Sequence, residues 1–89
     1  MSRNPDYFLD ISQEVCPITF VRTKLLLERM APGEVVEIRL AGGEPLDNVP
    51  RSAAELGHAI LATWAEEASD PRGIHRLLIE KRESLPPPG

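Results

Sequence analysis

Eighty-nine residues with ten basic and fourteen acidic side chains, a net charge of −4 and a single cysteine describe one thin-cored domain. A fold of that size has no room for a deep cleft lined by several catalytic groups. The acidic balance lacks the clustered Lys and Arg that phosphate binding requires, so direct nucleic-acid binding is not expected. A lone cysteine forms no internal disulfide.

The N-terminus, Met1-Ser2-Arg3-Asn4-Pro5-Asp6, lacks the apolar core of a signal peptide. No apolar run approaches the ~18–20 residues of a membrane span. A soluble, cytoplasmic protein without membrane contact is therefore expected. Residues 1–6 read as a disordered N-terminus, 7–83 as a single domain, and 84–89 as a disordered Pro-rich tail, since three consecutive prolines donate to no helix or ladder.

Tyr7-Phe8-Leu9-Asp10-Ile11 is a short strand candidate. A helix is predicted from Pro17 to about Met30, with proline favoured at the first helical position and Pro32-Gly33 stopping it. Phe20, Thr23, Leu27 and Met30 share one face, with Leu26 beside it, and that stripe is core packing. Val21 and Leu25 form a second, smaller patch, which is either buried or meets a partner; burial is the expectation. Arg22, Lys24 and Arg29 gather on this helix, where a solvated face is favoured over a docking patch.

Glu34-Val35-Val36-Glu37-Ile38-Arg39-Leu40 alternates apolar and charged residues, the pattern of a half-buried strand. Ala41-Gly42-Gly43-Glu44-Pro45 reads as a flexible loop. A second helix is predicted from Arg51 to about Gly57, with Pro50 tolerated only at its start.

Residues 59–67 contain good helix formers, yet Gly57 interrupts the helix before them, and Ile60, Ala62 and Trp64 alternate. Ser69-Asp70-Pro71-Arg72-Gly73 is a turn, and the strand that follows from Ile74 to Arg82 calls for an antiparallel neighbour. The stretch is therefore read as strand, with Trp64 packing in the core or on a sheet face. The resulting order, β-α-β-α-β-β, predicts an α/β (α+β) two-layer sandwich, a four-stranded sheet with two helices on one face and the other face partly exposed.

Chemistry concentrates at Cys16, which precedes Pro17 at or beside the N-cap of the first helix. Unpartnered amides and the positive end of the helix dipole both favour thiolate there. The effect is modest. A surface dipole contributes about 0.3–1 kcal/mol against about 1.4 kcal/mol per pKa unit, a fraction of a unit below the usual ~8.5. Asp10 and Glu14 act in the opposite direction.

A cysteine hydrolase needs an adjacent base and an oxyanion site, and the only candidate bases, His58 and His75, are distant in sequence. His58 after Gly57 reads as a helix-end residue satisfying a carbonyl. Cys16, His58 and His75 lack zinc spacing, and Gly42-Gly43 is too little for a phosphate loop, so no metal or cofactor is expected. An accessible thiol suits sulfur transfer, which resembles thiol–disulfide exchange. A buried structural cysteine is the alternative.

Leu9-Asp10, Cys16-Pro17 opening a helix, Pro32-Gly33-Glu34 before a strand, Asn48-Val49-Pro50, Gly57-His58 and the closing Leu78-Ile79-Glu80-Lys81 together resemble the TusA/SirA sulfur-carrier family over roughly residues 7–82. The resemblance implies the same two-layer sandwich with a mixed sheet. It implies that Cys16 accepts sulfane sulfur as a persulfide from a donor such as a cysteine desulfurase and passes it to an acceptor protein. The alternative is a non-catalytic interaction or regulatory module on the same fold, with Cys16 structural.

Two departures surround the cysteine. Thr19 replaces the second proline of Cys-Pro-x-Pro, and Gln13-Glu14 stand where the family favours Gly-Leu. Thr19 restores an N–H and adds a hydroxyl. The Ile18 N–H, the Thr19 N–H and the Thr19 hydroxyl, following Pro17, are therefore expected to solvate a sulfur anion on Cys16, against the plainer role of Thr19 as a helix cap.

Overall fold

The chain lays down β1 (Tyr7–Asp10), α1 (Ile18–Arg29), β2 (Val35–Ala41), α2 (Glu44–Glu55), β3 (Ala59–Ala65) and β4 (Ile74–Glu80) in that order. These elements come from a computed structural model that describes residues 4–15, 17–70 and 72–82. Cys16, Pro71 and the tail expected over residues 84–89 lie outside the described residues.

The four strands form one sheet in the order β1-β2-β4-β3. β1 runs parallel to β2, with Leu9 opposite Ile38. β2 and β3 both run antiparallel to β4, with Ile38 opposite Leu77 and Thr63 opposite Leu77 on the other side. This mixed sheet with two helices is the α+β two-layer sandwich expected from the sequence.

Strand alternation sorts the two faces. Val36, Ile38 and Leu40 of β2 and Leu77 and Ile79 of β4 meet Leu27 and Met30 of α1 and Val49 and Ala53 of α2, with Ile11 completing the core. Glu37, Arg39 and Arg76 lie on the opposite, open face. Leu78 is buried there between Glu37 and Ala62. Each large aliphatic side chain buried in this core contributes about 1.5–3 kcal/mol.

In α1 the buried positions are Thr19, Thr23 and Leu27, continued by Met30. The core-facing stripe therefore runs through Thr19, while Phe20 is half-buried. The hydroxyl of Thr23 donates to the Thr19 carbonyl at 2.8 Å, which lets a threonine occupy an apolar face. Val21 and Leu25 were expected to be buried but are 43% and 54% exposed. They fall on the flank of α1 turned away from α2 and the core, which no described element covers.

The second helix corrects the sequence reading. It begins at Glu44, seven residues before Arg51, and contains Pro50 in its interior. The residues read as a flexible loop are instead its start. Gly43 occupies the N-cap at φ +87°, a conformation open to glycine. Its carbonyl accepts from the Asp47 N–H at 3.1 Å. Glu44 and Asp47 in the first turn suit the positive end of the dipole.

Pro50 removes one donor to the carbonyl four residues back. The buried face of Leu46, Val49 and Ala53, at spacings of three and four, holds the helix through that gap. The C-terminus closes in a Schellman motif. The N–H of Gly57, at φ +97°, bonds the Ala54 carbonyl and that of His58 bonds the Ala53 carbonyl.

β3 is a strand despite its helix formers, because β4 supplies an antiparallel partner along its length. A register shift between Ile60 and Ala62 marks a bulge. Asp6, which the sequence reading left in a disordered N-terminus, is tied down. Its N–H donates to the Val35 carbonyl at 2.7 Å and its carboxylate accepts from the Val35 N–H at 2.9 Å. That pairing extends the parallel contact of β1 with β2 by one residue.

Candidate functional site

Cys16 lies outside the described residues, so the site is defined by the segment that carries it, from the end of β1 to the first turn of α1. The segment leaves the sheet through a polar knot. Asp10 Oδ1 accepts from the Ser12 N–H at 3.0 Å and from the Ser12 hydroxyl at 2.6 Å, an Asx-turn. Arg39 on β2 donates to Ser12 Oγ at 3.0 Å and to Asp10 Oδ2 at 3.3 Å. The Ser12 hydroxyl and amide, then Arg39, hold the Asp10 carboxyl below its ordinary range. The Ile11 N–H donates to the Arg39 carbonyl at 2.8 Å, and Ile11 is fully buried.

Beyond this anchor the Glu14 N–H returns to the Ile11 carbonyl at 3.1 Å. The Glu14 carboxylate pairs with the Arg22 guanidinium at 2.8 Å. Val15, immediately before Cys16, is 71% exposed, and Pro17, immediately after it, is exposed.

Pro17 is the N-cap of α1, with φ −90° and ψ 4°, and contributes no side-chain cap. Its carbonyl accepts from the Val21 N–H at 3.0 Å. The helix thus starts one residue later than the expectation that placed Pro17 inside it. Its first turn contains no acidic residue, so nothing there competes with an anion for the positive end of the dipole.

Ile18 opens α1 and is 45% exposed. Thr19 is the next residue along the helix. Its N–H donates to the Val15 carbonyl at 3.3 Å, and its side chain is wholly buried on the core-facing stripe. The Thr19 amide is therefore committed to the Val15 carbonyl. Of the donors expected to meet the sulfur, the Ile18 N–H is the one at the exposed start of the helix.

Neither histidine is joined to the described part of this segment by a hydrogen bond. His58 Nδ1 accepts from the Arg82 N–H at 3.1 Å, so the ring acts as acceptor. Its backbone N–H, not its ring, satisfies the helix-end carbonyl. Burial, then the Lys81 charge, pushes its pKa down. His75 Nδ1 lies 2.9 Å from the Gly73 carbonyl, which accepts only, so Nδ1 carries the proton.

Two participants escaped the sequence reading. Arg39 was seen only as the wet side of a strand, and Arg22 only as part of a basic helix face. The recoverable signal for Arg22 was the opposite charge of Glu14 across Cys16. For Arg39 the partners are distant in sequence and no local pattern reveals them. Beside the segment, Phe8 and Leu9 of β1 and Arg22, Leu25, Leu26 and Arg29 of α1 line a shallow groove of about 290 Å³.

Comparison with known proteins bears on this geometry. The family model described as sulfurtransferase TusA matches residues 7–81. An Archaeoglobus fulgidus protein described as a candidate sulfur carrier is 44% identical over 54 residues, which cover 61% of this chain and 61% of that relative. The match therefore spans less than two thirds of that relative's length. A similarly described Methanocaldococcus jannaschii protein is 27% identical over 73 residues, covering 82% of this chain and 91% of the other.

The Escherichia coli K12 protein YedF, also described as a candidate sulfur carrier, is 32% identical over 57 residues, covering 64% and 74%. The crystal structure of a SirA-like protein from Desulfitobacterium hafniense superposes with a TM-score of 0.64 at 22% identity, over 86% of this chain and 99% of that one. That likeness concerns the fold. With three quarters or more of the chain matched by one family model, the protein belongs to the sulfurtransferase TusA family.

Proposed function

We infer that the protein is a sulfur carrier that holds sulfane sulfur as a persulfide on Cys16. The observation that carries this reading is that α1 begins two residues after Cys16 with an exposed first residue and no acidic side chain in its first turn. A thiolate attacks the outer sulfur of a donor persulfide; the new S–S bond forms as the donor's S–S bond breaks, and the donor cysteine leaves as thiolate. Transfer to an acceptor repeats the exchange with the roles reversed, and neither step needs an external oxidant or reductant.

The protein's contribution is access and modest anion stabilisation. The Ile18 N–H and the dipole of α1 favour the thiolate and the terminal sulfur anion of the persulfide. The donor suggested by the family is a cysteine desulfurase, and the acceptor is a second protein thiol.

Incubation with a cysteine desulfurase and cysteine tests the reading by intact-mass spectrometry. The wild-type chain gains the mass of one sulfur atom and the Cys16→Ser variant gains none. A wild-type chain that stays unmodified defeats the proposal. It would then favour an interaction module, whose supporting observation is the exposed stripe of Ile18, Val21 and Leu25 on α1.

A further inference from the structure

We propose that β3 is the interface between two copies of this chain, the outer edge of each strand pairing antiparallel with the other about a two-fold axis at Trp64. The product is one continuous sheet with four strands from each copy. The inference goes beyond the carrier reading and does not depend on it. The strand order β1-β2-β4-β3 leaves two edges, and they differ in kind. β1 is four residues long and carries Asp10, a short charged edge that resists pairing. β3 is seven residues, Ala59 to Ala65, without a charged side chain or a proline. Ile60, Leu61 and Trp64 are exposed along it.

The main chain of β3 is set for a second ladder. The Glu66 N–H donates to the Ile74 carbonyl at 2.9 Å, so position 66 turns its main-chain groups toward β4. Antiparallel pairs alternate, and the register from Ala62 to Ala65 is unbroken. Ala62 and Trp64 therefore turn toward β4 as well, while Thr63 and Ala65 direct their N–H and C=O groups to the open edge. The register shift falls between Ile60 and Ala62, before this stretch, and so does not blunt it. An axis at Trp64 places Thr63 of each copy opposite Ala65 of the other, the two residues that offer outward groups.

The side chains agree with this axis. Trp64 stands opposite Arg76 in the β3–β4 register, on the open face of the sheet. The axis sets the two Trp64 residues opposite each other as a non-hydrogen-bonded pair, with Cα atoms about 4.5 Å apart, where side chains across a ladder meet most closely. Glu66 falls opposite the second copy's Ala62 and is already bonded to Arg39 and Arg76, so no like charges oppose each other.

Charge also selects a second copy as the occupant. Two chains of net charge −4 repel over most of their surface, and β3 is an uncharged stretch with opposite charge at its two ends. Beyond its C-terminal end, exposed Glu67 and Asp70 outnumber Arg72. At its N-terminal end Ala59 pairs with Glu80, whose carboxylate is bonded by Arg82, and Lys81 adds a further positive charge. Antiparallel pairing brings the acidic end of each strand toward the basic end of the other. A patch that complements itself under a two-fold rotation is what a symmetric dimer requires.

The test is sedimentation velocity of the full chain across a concentration series, read beside the fluorescence of Trp64, the single tryptophan. The wild-type mass should rise from 9.9 kDa toward twice that value, with the Trp64 emission shifting to the blue over the same range. Trp64→Glu opposes two carboxylates across the axis and should stay at the monomer mass. Thr63→Pro deletes an outward N–H and no bond to β4, and should weaken association by about tenfold or more. Circular dichroism confirms that each variant is folded. A wild-type mass that stays at 9.9 kDa at every concentration overturns the proposal, whatever other chain β3 then accepts. So does a dimer that both variants leave intact, or one that forms with no change in the Trp64 emission. The wild-type emission decides the matter if neither variant folds.

Discussion

Glu66 accepts from Arg39 at 2.7 Å through the same oxygen that accepts from Arg76 at 2.5 Å. One carboxylate just beyond β3 thus bonds arginines on β2 and β4, which stand directly opposite each other in register. Arg76 also pairs with Glu37 and lies 5.4 Å from the Phe8 ring centroid, a cation–π contact. Removing Glu66 leaves two like charges facing across a strand pair, an unfavourable arrangement. Glu66→Ala should lower stability in urea denaturation, with the loss shrinking as salt is added.

The same pair makes a pH prediction. Hydrogen bonds from Arg39 and then Arg76 hold the Glu66 carboxyl below its ordinary 4.5. With the folded value depressed, the contribution is complete above the ordinary value and is lost as the pH falls from there through the folded one. The wild type should therefore lose more stability on acidification below about 4.5 than Glu66→Ala does. Parallel acid denaturation curves for the two proteins would rule this out.

His58 predicts a second pH window. Its pKa lies below the ordinary 6.5 in the folded state, through burial and then Lys81. Between those values the unfolded chain binds more protons, so stability falls as the pH drops through 6.5 toward the folded value. Thermal melts taken from neutral pH downward through the ordinary 6.5 should show this slope in wild type and a flatter one in His58→Asn. Equal slopes would mean that the ring is not held neutral.

Thr19→Val keeps the shape of a fully buried side chain and the amide bonded to Val15, and deletes the hydroxyl. It should cost about 1 kcal/mol, the loss of a buried hydroxyl hydrogen bond, and leave the alkylation profile of Cys16 in place. A raised midpoint in the pH–rate profile of Cys16 alkylation by iodoacetamide would assign the hydroxyl to the sulfur.

Gly57→Ala probes the end of α2. Open space surrounds the position where a Cβ would go, so the cost is that of φ +97° in the backbone alone, about 1 kcal/mol. Gly57→Asn should cost less. A neutral alanine variant would show that the Schellman geometry relaxes freely.

Much of this architecture was readable because local patterns and global pairing agreed. The Val36, Ile38 and Leu40 alternation marked β2. The turn before Ile74 demanded a neighbour, which made a strand of Ala59–Ala65 against its helix propensity. The start of α2 was hidden by Pro50, whose missing donor argues for a boundary. The opposing signal, Leu46, Val49 and Ala53 at helical spacing behind a capping Gly43, becomes decisive only when a sheet exists for that face to cover.

The same limit governed the site. Helical periodicity brought Thr19 near Cys16 in sequence but did not say that its side chain turns into the core. Val21 and Leu25 are apolar enough to be buried, and their exposure follows from where α1 meets the edge of the sheet. That placement is a property of the assembled layers, not of the helix.

Lys81 Nζ donates to the Leu27 carbonyl at 2.5 Å across 54 positions of sequence, and β4 occupies the sheet interior between β2 and β3. A nascent chain that has released α1, β2, α2 and β3 but not β4 owns two strands with no ladder between them and a first helix whose closing carbonyl waits for its lysine. Assembly of this protein is therefore expected to be concerted and late in synthesis, with ribosome-bound intermediates shorter than about eighty residues remaining protease-sensitive.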